Sequence, residues 1–128
     1  MAEESIHISD AEWQVMQMIW ERRSATAAEV IALLSPQTGW RHRTVRTLLA
    51  RLVEKGALSA RADGNRYVYT PLVSRTRCVR QEGRAFLNKV FGGDATELLV
   101  HFLRDTNISA EEIDKLKRLL DEKRPQRE

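Results

Sequence analysis

Residues 42–56 read HRTVRTLLARLVEKG, the pattern of a helix with two different faces. Four apolar residues recur at the spacing that predicts a buried stripe: Val45, Leu48, Leu49 and Leu52. The other side and the residues just before it are cationic or short: Arg41, His42, Arg43, Thr44, Arg46, Thr47, Ala50 and Arg51. A helix with this front fits the DNA major groove, which is about 12 Å wide. We therefore predict that these eight residues bind DNA.

Helix-start signals occur throughout the chain. Ser9, Thr26 and Ser109 are each followed three residues later by Glu, the spacing of a capping box. With the apolar periodicity, these signals predict helices over 10–22, 27–35, 42–55, 74–91, 95–105 and 110–123. Pro36 is expected to follow the second helix, because proline disrupts a helix interior.

The pattern changes to that of strands after the third predicted helix. Residues 57–61 and 66–70 flank Asp-Gly-Asn at 63–65, which is a hairpin signal, and Pro71 is expected to end the pairing. Arg61 and Arg66 flank the turn, where their charges either protect the hairpin edge or contact DNA. We predict the second role. Three helices followed by a hairpin form the plan of a winged helix-turn-helix.

The second half of the chain predicts three helices without a sheet. The helix over 95–105 is apolar nearly all round, so it needs cover on several sides. A second copy of the chain is the simplest cover. The predicted interface residues are Val79, Phe86, Val90, Leu98, Leu99, Phe102, Leu103, Ile113, Leu116 and Leu120. The expected fold is mainly α with a small β-hairpin wing, with a winged-helix DNA-binding domain at 1–73 and a helical dimerisation domain at 74–128.

The composition limits the class of protein. The chain has 128 residues, 42% hydrophobic and 30% charged, with a net charge of +3. This suits one small globular domain with an appendage. It has no apolar stretch long enough to span a membrane and an acidic N-terminus without a signal-peptide pattern, so we expect a cytoplasmic protein. One cysteine, Cys78, excludes a disulfide framework or a four-cysteine zinc site within one chain, and no cofactor is expected.

The sequence also disfavours two other classes of protein. An enzyme is not expected, because no nucleophile elbow, metalloprotease motif or phosphate-binding glycine loop occurs. A winged helix that binds only proteins should carry a neutral or acidic front on its third helix, whereas this front is cationic.

Several motifs resemble the penicillinase-repressor family of bacterial transcription regulators (BlaI/MecI/CopY type). They are AEWQVM at 11–16, IW at 19–20, RTVRTLLARL at 43–52, KG at 55–56, YVY at 67–69 and FLNKVFGG at 86–93. The resemblance covers roughly residues 6–122. It implies a homodimer that binds a palindromic double-stranded DNA operator and blocks transcription.

The resemblance also implies how the repressor is switched off. In the β-lactam branch, a membrane sensor-protease system triggers cleavage within the dimerisation region, and the motif match places that bond at His101-Phe102. Copper-branch members carry C-terminal Cys-x-Cys motifs, which this chain lacks. Regulation of β-lactam-resistance-type genes is therefore expected. A response to a small effector or to oxidation of Cys78, flanked by Arg77 and Arg80, stays open as an alternative.

Overall fold

The computed structural model describes residues 6–126; residues 1–5 and 127–128 of the two predicted domains lie outside the described residues. Nine elements follow in chain order: α1 (Asp10–Arg22), β1 (Ala25–Thr26), α2 (Ala27–Thr38), α3 (His42–Glu54), β2 (Leu58–Asp63), β3 (Arg66–Pro71), α4 (Arg75–Phe91), α5 (Ala95–Asp105) and α6 (Ala110–Glu122). The strands form one antiparallel sheet in the order β1-β3-β2. The predicted fold, mainly α with a β wing, is confirmed.

The predicted capping boxes form and fix where three helices begin. Ser9, Thr26 and Ser109 each accept a hydrogen bond from the backbone N–H three residues on, and the Glu there accepts one from the cap residue's own N–H. Each cap satisfies backbone donors that have no partner inside the helix. As a result, α1, α2 and α6 begin at the predicted residues.

The end of α2 differs from the prediction. The helix continues through Pro36 to Thr38. Proline has a helical φ and lacks only one N–H, so the last turn can hold it at the cost of one backbone hydrogen bond. The helix ends at Gly39 instead, which has a left-handed φ of 73° and donates its N–H to the Ser35 carbonyl at 2.9 Å.

The wing contains a strand that was not predicted. In β1, Ala25 pairs with Tyr69 and Thr26 with Val68, so the hairpin becomes a three-stranded sheet. Two residues are too short to show an alternating pattern, and only the approach of β3 makes them a strand. Pro71 also lies inside the ladder as the last residue of β3, opposite Leu58. Strand ends tolerate proline because they need fewer ladder hydrogen bonds.

The core lies among α1, α2, α3 and the base of the sheet. The four apolar residues predicted to face inward from α3 are all buried: Val45, Leu48, Leu49 and Leu52. Trp13 and Trp20 are partly buried against this core and pack edge to face with ring centroids 5.3 Å apart. Trp20 lies at the rim of the core, because its indole N–H donates to the Val73 carbonyl at 2.9 Å.

The chain divides into two compact units, one ending at Glu82 and one beginning at Gly83. In the first, α4 contributes Cys78, which is 6% exposed, and Gln81, whose Nε2 donates to the Ile6 carbonyl at 3.1 Å. In the second, none of the side chains from residue 83 to 126 is buried. The predicted domains, 1–73 and 74–128, divide the chain at the end of the hairpin and stay a prediction.

An ion pair joins the start of α1 to the end of α3. Lys55 Nζ donates to Glu12 Oε1 at 2.5 Å and to the His7 carbonyl at 2.8 Å. Glu12 is 1% exposed and also accepts the Ser9 N–H at 2.8 Å. Burial alone raises the pKa of the Glu12 carboxyl, but the hydrogen bonds from Lys55 and Ser9 outweigh burial and lower it. The capping glutamate therefore also holds α3 in place.

We expect Glu12→Gln to remove a contribution to the free energy of unfolding that depends on pH. Because the folded pKa of Glu12 is lowered, its stabilisation is full above about 4.5, the ordinary pKa, and is lost as pH falls through the folded value. At neutral pH the variant should be less stable by about 1.5–3 kcal/mol, the range for hydrogen bonds to a charged group. Urea unfolding across this pH range should show the difference shrinking below about pH 4.5.

The control for this experiment is Glu54→Gln, since Glu54 is an exposed carboxylate of the same unit. It should leave the pH profile close to that of the unaltered protein. A Glu12→Gln protein that loses the same stability at every pH would contradict the assignment.

Candidate nucleic-acid interface

The third helix presents all its predicted DNA-binding residues to solvent. Its apolar side packs against α1 and α2. The residues that stay exposed are Arg41, His42, Arg43, Thr44, Arg46, Thr47, Ala50 and Arg51. We call these eight residues the α3 front. Burial of one side of an amphipathic helix is enough to bring them together on the other, so the structure places them on one surface as the spacing predicted.

The positive charge of the α3 front meets no neutralising carboxylate in the described part of the chain. Among residues 6–126, no carboxylate forms an ion pair with Arg41, Arg43, Arg46 or Arg51. Arg41 is also the N-cap of α3, and its side chain makes no capping hydrogen bond. The first N–H groups of the helix therefore add partial positive charge to that of the arginines. Such a surface attracts phosphate.

Thr47 differs from its neighbours because its hydroxyl is already used. Thr47 Oγ1 donates to the Arg43 carbonyl, one turn earlier, at 2.9 Å. Ala50, three residues on, adds only a methyl group. The centre of the α3 front is thus flat and short, while longer arginines flank it.

The wing brings its two arginines to one face. Asp63 pairs with Arg66 and Arg61 with Val68, so these four side chains share a face of the hairpin. Both arginines are exposed. Gly64, with a φ of 66°, and Asn65 form the turn. Tyr67, which sequence reasoning did not select as a contact, is exposed at the same tip on the other face.

The second unit leaves its apolar side chains in solvent. Its large exposed residues include most of the predicted interface: Phe86, Val90, Leu99, Phe102, Leu103, Ile113, Leu116 and Leu120. Val79, in the first unit, is exposed as well. Leu98 is partly buried. Among residues 83–126, the rings of Phe86 and Phe91 pack edge to face with centroids 6.0 Å apart, and no side chain is buried. Exposed apolar surface on this scale is typical of a contact surface.

The predicted cleavage bond lies in the second half of α5. His101 and Phe102 are both exposed. The His101 ring lies 5.6 Å from that of Phe91, and its Nε2 is 4.0 Å from Glu97 Oε1. The side chains on both sides of the predicted bond are therefore exposed to solvent, while the bond itself lies in helical backbone.

Cys78 is not placed as a reactive thiol. Burial raises the pKa of Cys78, which the charge of Arg77 lowers only in part, and Glu82 adds to the rise. Burial thus outweighs the charge of Arg77, so Cys78 lacks the lowered pKa of a reactive thiolate. Cys78 instead lines a cavity of about 310 Å³ together with Ile6, Lys55, Leu72, Val73, Arg77 and Gln81. In the described part of the chain, no helix is long and apolar enough to cross a membrane.

Comparison with known proteins gives a consistent match. The family model described as penicillinase repressor matches residues 8–122. The penicillinase repressor of Bacillus licheniformis is 37% identical over 115 residues, 90% of each chain. The methicillin resistance regulatory protein MecI of Staphylococcus aureus (strain N315) is 32% identical over 123 residues, 96% of this chain and 100% of that one.

Solved structures agree with this match. The solution structure of the BlaI DNA-binding domain superposes with a TM-score of 0.54 at 40% identity, over 59% of this chain and 92% of that one. The monomeric form of Bacillus licheniformis BlaI, solved in complex with the blaP half-operator, gives 0.52 at 41% identity, over 58% and 92%. MarR from E. coli, at 19% identity and a TM-score of 0.51, shares the fold over 92% of this chain and 79% of its own. This chain belongs to the penicillinase-repressor family, whose members are DNA-binding transcriptional repressors.

Proposed function

We propose that this protein is a homodimeric repressor of β-lactam-resistance-type genes, which binds a palindromic operator through the α3 front and the wing arginines. The observation that carries this proposal is the α3 front itself. It combines exposed arginines that lack carboxylate partners in residues 6–126 with a short centre at Thr47 and Ala50. Duplex DNA offers the matching surface, a groove lined by phosphates with readable base edges at its floor.

The half-operator complex of BlaI supports DNA binding by this chain. The BlaI in that complex matches 58% of this chain at 41% identity, and it was solved as a monomer on half of an operator. Because one monomer occupies half of the operator in that complex, a full operator fits two monomers. The names of the relatives, penicillinase repressor and methicillin resistance regulatory protein, support the class of regulated gene.

The second unit supports the homodimer. It leaves no side chain buried between residues 83 and 126, so three helices of this size have no core of their own. Small units of this kind are marginal unless they associate. A second copy supplies the same apolar helices in a self-complementary contact, and two-fold symmetry then matches an inverted repeat in DNA.

Selection from a pool of random duplexes tests the operator and the dimer together. The enriched sequences should form an inverted repeat, and the full chain should sediment as a dimer at micromolar concentration. Enrichment of a lone half-site with a monomeric protein would contradict the homodimer. Failure to enrich any sequence would contradict specific DNA binding.

The α3 front contains two kinds of contact that substitutions should separate. Arg46→Ala and Thr47→Ala should weaken binding to the selected operator by about 1–3 kcal/mol each and relax sequence discrimination, as loss of a base contact does. Arg51→Ala should weaken operator and scrambled duplex alike and lower the salt slope by about one unit, as loss of a phosphate contact does. Titration of both duplexes at several salt concentrations measures this.

Arg118→Ala is the matched control, because Arg118 is an exposed arginine on α6 outside the α3 front. It should leave affinity and salt slope unchanged. The assigned roles would be reversed if Arg51→Ala relaxed discrimination while Arg46→Ala weakened every duplex equally.

We also propose that induction occurs by cleavage at His101-Phe102, by a protease linked to a β-lactam sensor. The bond lies within α5, so the protease must meet a locally opened helix. Cleavage detaches Phe102, Leu103 and all of α6 from the rest of the chain. The pieces then lose the chain connection that orders the interface, and dimerisation weakens. The core of the first unit contains none of these residues, so it should stay folded.

Mass spectrometry of the repressor from its native host, with and without a β-lactam, tests cleavage. We expect fragments ending at His101 only after induction. The variant to compare with the unaltered protein is His101→Ala, because alanine keeps α5 helical. Prolines at these two positions would disrupt the helix itself. Derepression with an intact chain would contradict the mechanism and favour a bound effector or oxidation of Cys78.

A further inference from the structure

We propose that Thr47 recognises thymine through its methyl group, and that its hydroxyl donates no hydrogen bond to DNA. The inference rests on the proposed DNA-binding function and adds the class of base at one position of the half-site. It begins from the hydrogen bond between Thr47 Oγ1 and the Arg43 carbonyl, which is 2.9 Å long. A threonine hydroxyl has one proton, so this bond uses its only donor.

The methyl group is then the part of Thr47 left to contact a base. Oγ1 turns back along the helix to the carbonyl one turn earlier, and Cγ2 takes another staggered position on the exposed side chain. Ala50, three residues on, lies on the same helix face and exposes its own methyl. Together they form a small apolar patch among the arginines of the α3 front.

Thymine is the base that fits this patch. In the major groove it shows a C5-methyl group and the O4 acceptor, and no other base carries a methyl there. A hydroxyl with its proton already donated has nothing to offer O4. A threonine methyl beside an alanine methyl can instead contact the thymine methyl. The amino groups of adenine or cytosine could donate to Oγ1, and the experiment separates that contact from the apolar one.

Two substitutions test the methyl group and the hydroxyl group of Thr47 separately. Thr47→Val keeps the branched shape and the methyl while replacing the hydroxyl, and Thr47→Ser keeps the hydroxyl while removing the methyl. We expect Thr47→Val to keep the affinity of the unaltered protein for the selected operator, because valine retains the methyl that contacts the thymine methyl. Thr47→Ser should weaken binding by about three- to fivefold per half-site, the effect of one buried methyl group.

Deoxyuridine in the operator removes the matching methyl from the DNA. Each thymine of the selected half-site is replaced in turn, in both halves. One position should weaken the unaltered protein and Thr47→Val by about three- to fivefold per half-site and have no further effect on Thr47→Ser. This loss of additivity assigns the contact to the Thr47 methyl.

Two results would overturn the inference. In the first, Thr47→Val loses affinity while Thr47→Ser keeps it, which assigns recognition to the hydroxyl. In the second, no deoxyuridine position distinguishes the unaltered protein from Thr47→Ser. Either result leaves the proposed repressor intact, since both require specific binding to the selected operator. Thermal unfolding of both variants confirms that each is folded before binding is compared.

Discussion

Replacing Phe102 with aspartate should lower operator affinity by about 10²–10⁴-fold. This is the range by which the affinity of two linked binding modules exceeds that of one module alone. Phe102 is 52% exposed in the single chain, although it is a large aromatic side chain. In the proposed dimer this surface is covered. A carboxylate there would lose its water without gaining a partner, which opposes association strongly. Each half-site would then be bound separately.

The experiment needs two measurements on the same sample. Sedimentation should show Phe102→Asp as a monomer, and titration should show its operator affinity approaching that for an isolated half-site. Thr96→Asp is the control, since Thr96 is exposed on the same helix, near its start, where negative charge is tolerated. A Phe102→Asp protein that stays dimeric, or a monomer with full operator affinity, would contradict the role given to the second unit.

The second large effect should come from Leu49→Ala, which should lower the free energy of unfolding by about 2–5 kcal/mol. Leu49 is 0% exposed and lies on the inner side of α3, among residues of α1 and α2. Removing its side chain leaves a cavity that the surrounding helices can fill only in part. DNA binding should fall with stability, because the α3 front exists only while the inner side holds α3 in place.

Tryptophan fluorescence during urea unfolding reports on the unit that contains Leu49. The three tryptophans, Trp13, Trp20 and Trp40, all belong to the unit that ends at Glu82. Leu72→Ala is the matched control, since Leu72 is in the same unit but 61% exposed. It should change the free energy of unfolding by less than about 1 kcal/mol. Equal losses for the two variants would contradict the core position of Leu49.

The parts of the fold that could be predicted depend on neighbours in sequence. Capping boxes join residues three apart, and the two faces of α3 follow from a repeat within one helix. Accordingly, α1 and α5 begin and end at the predicted residues, and the α3 front is exposed as predicted. The predicted contacts to DNA and between copies stay predictions, because they depend on molecules outside the chain.

The features that sequence reasoning missed depend on residues far apart. Strand β1 exists only because β3 approaches it, and its two residues carry no pattern alone. The ion pair between Glu12 and Lys55 joins α1 to the end of α3, and nothing near Glu12 in sequence indicates it. The continuation of α2 through Pro36 has a local cause, since the left-handed Gly39 ends the helix and a proline in the last turn does not.

The C-terminal end of α3 is held by more side-chain hydrogen bonds than its N-terminal end. Lys55, at its C-terminal end, is tied to Glu12 and to the His7 carbonyl, whereas Arg41, at its N-terminal end, makes no side-chain cap. Thermal fraying should therefore proceed from the N-terminal turn, which carries His42 and Arg43. A helix hinged in this way can adjust its leading turn to operators that differ in groove width, while its trailing turn keeps a constant position in the domain.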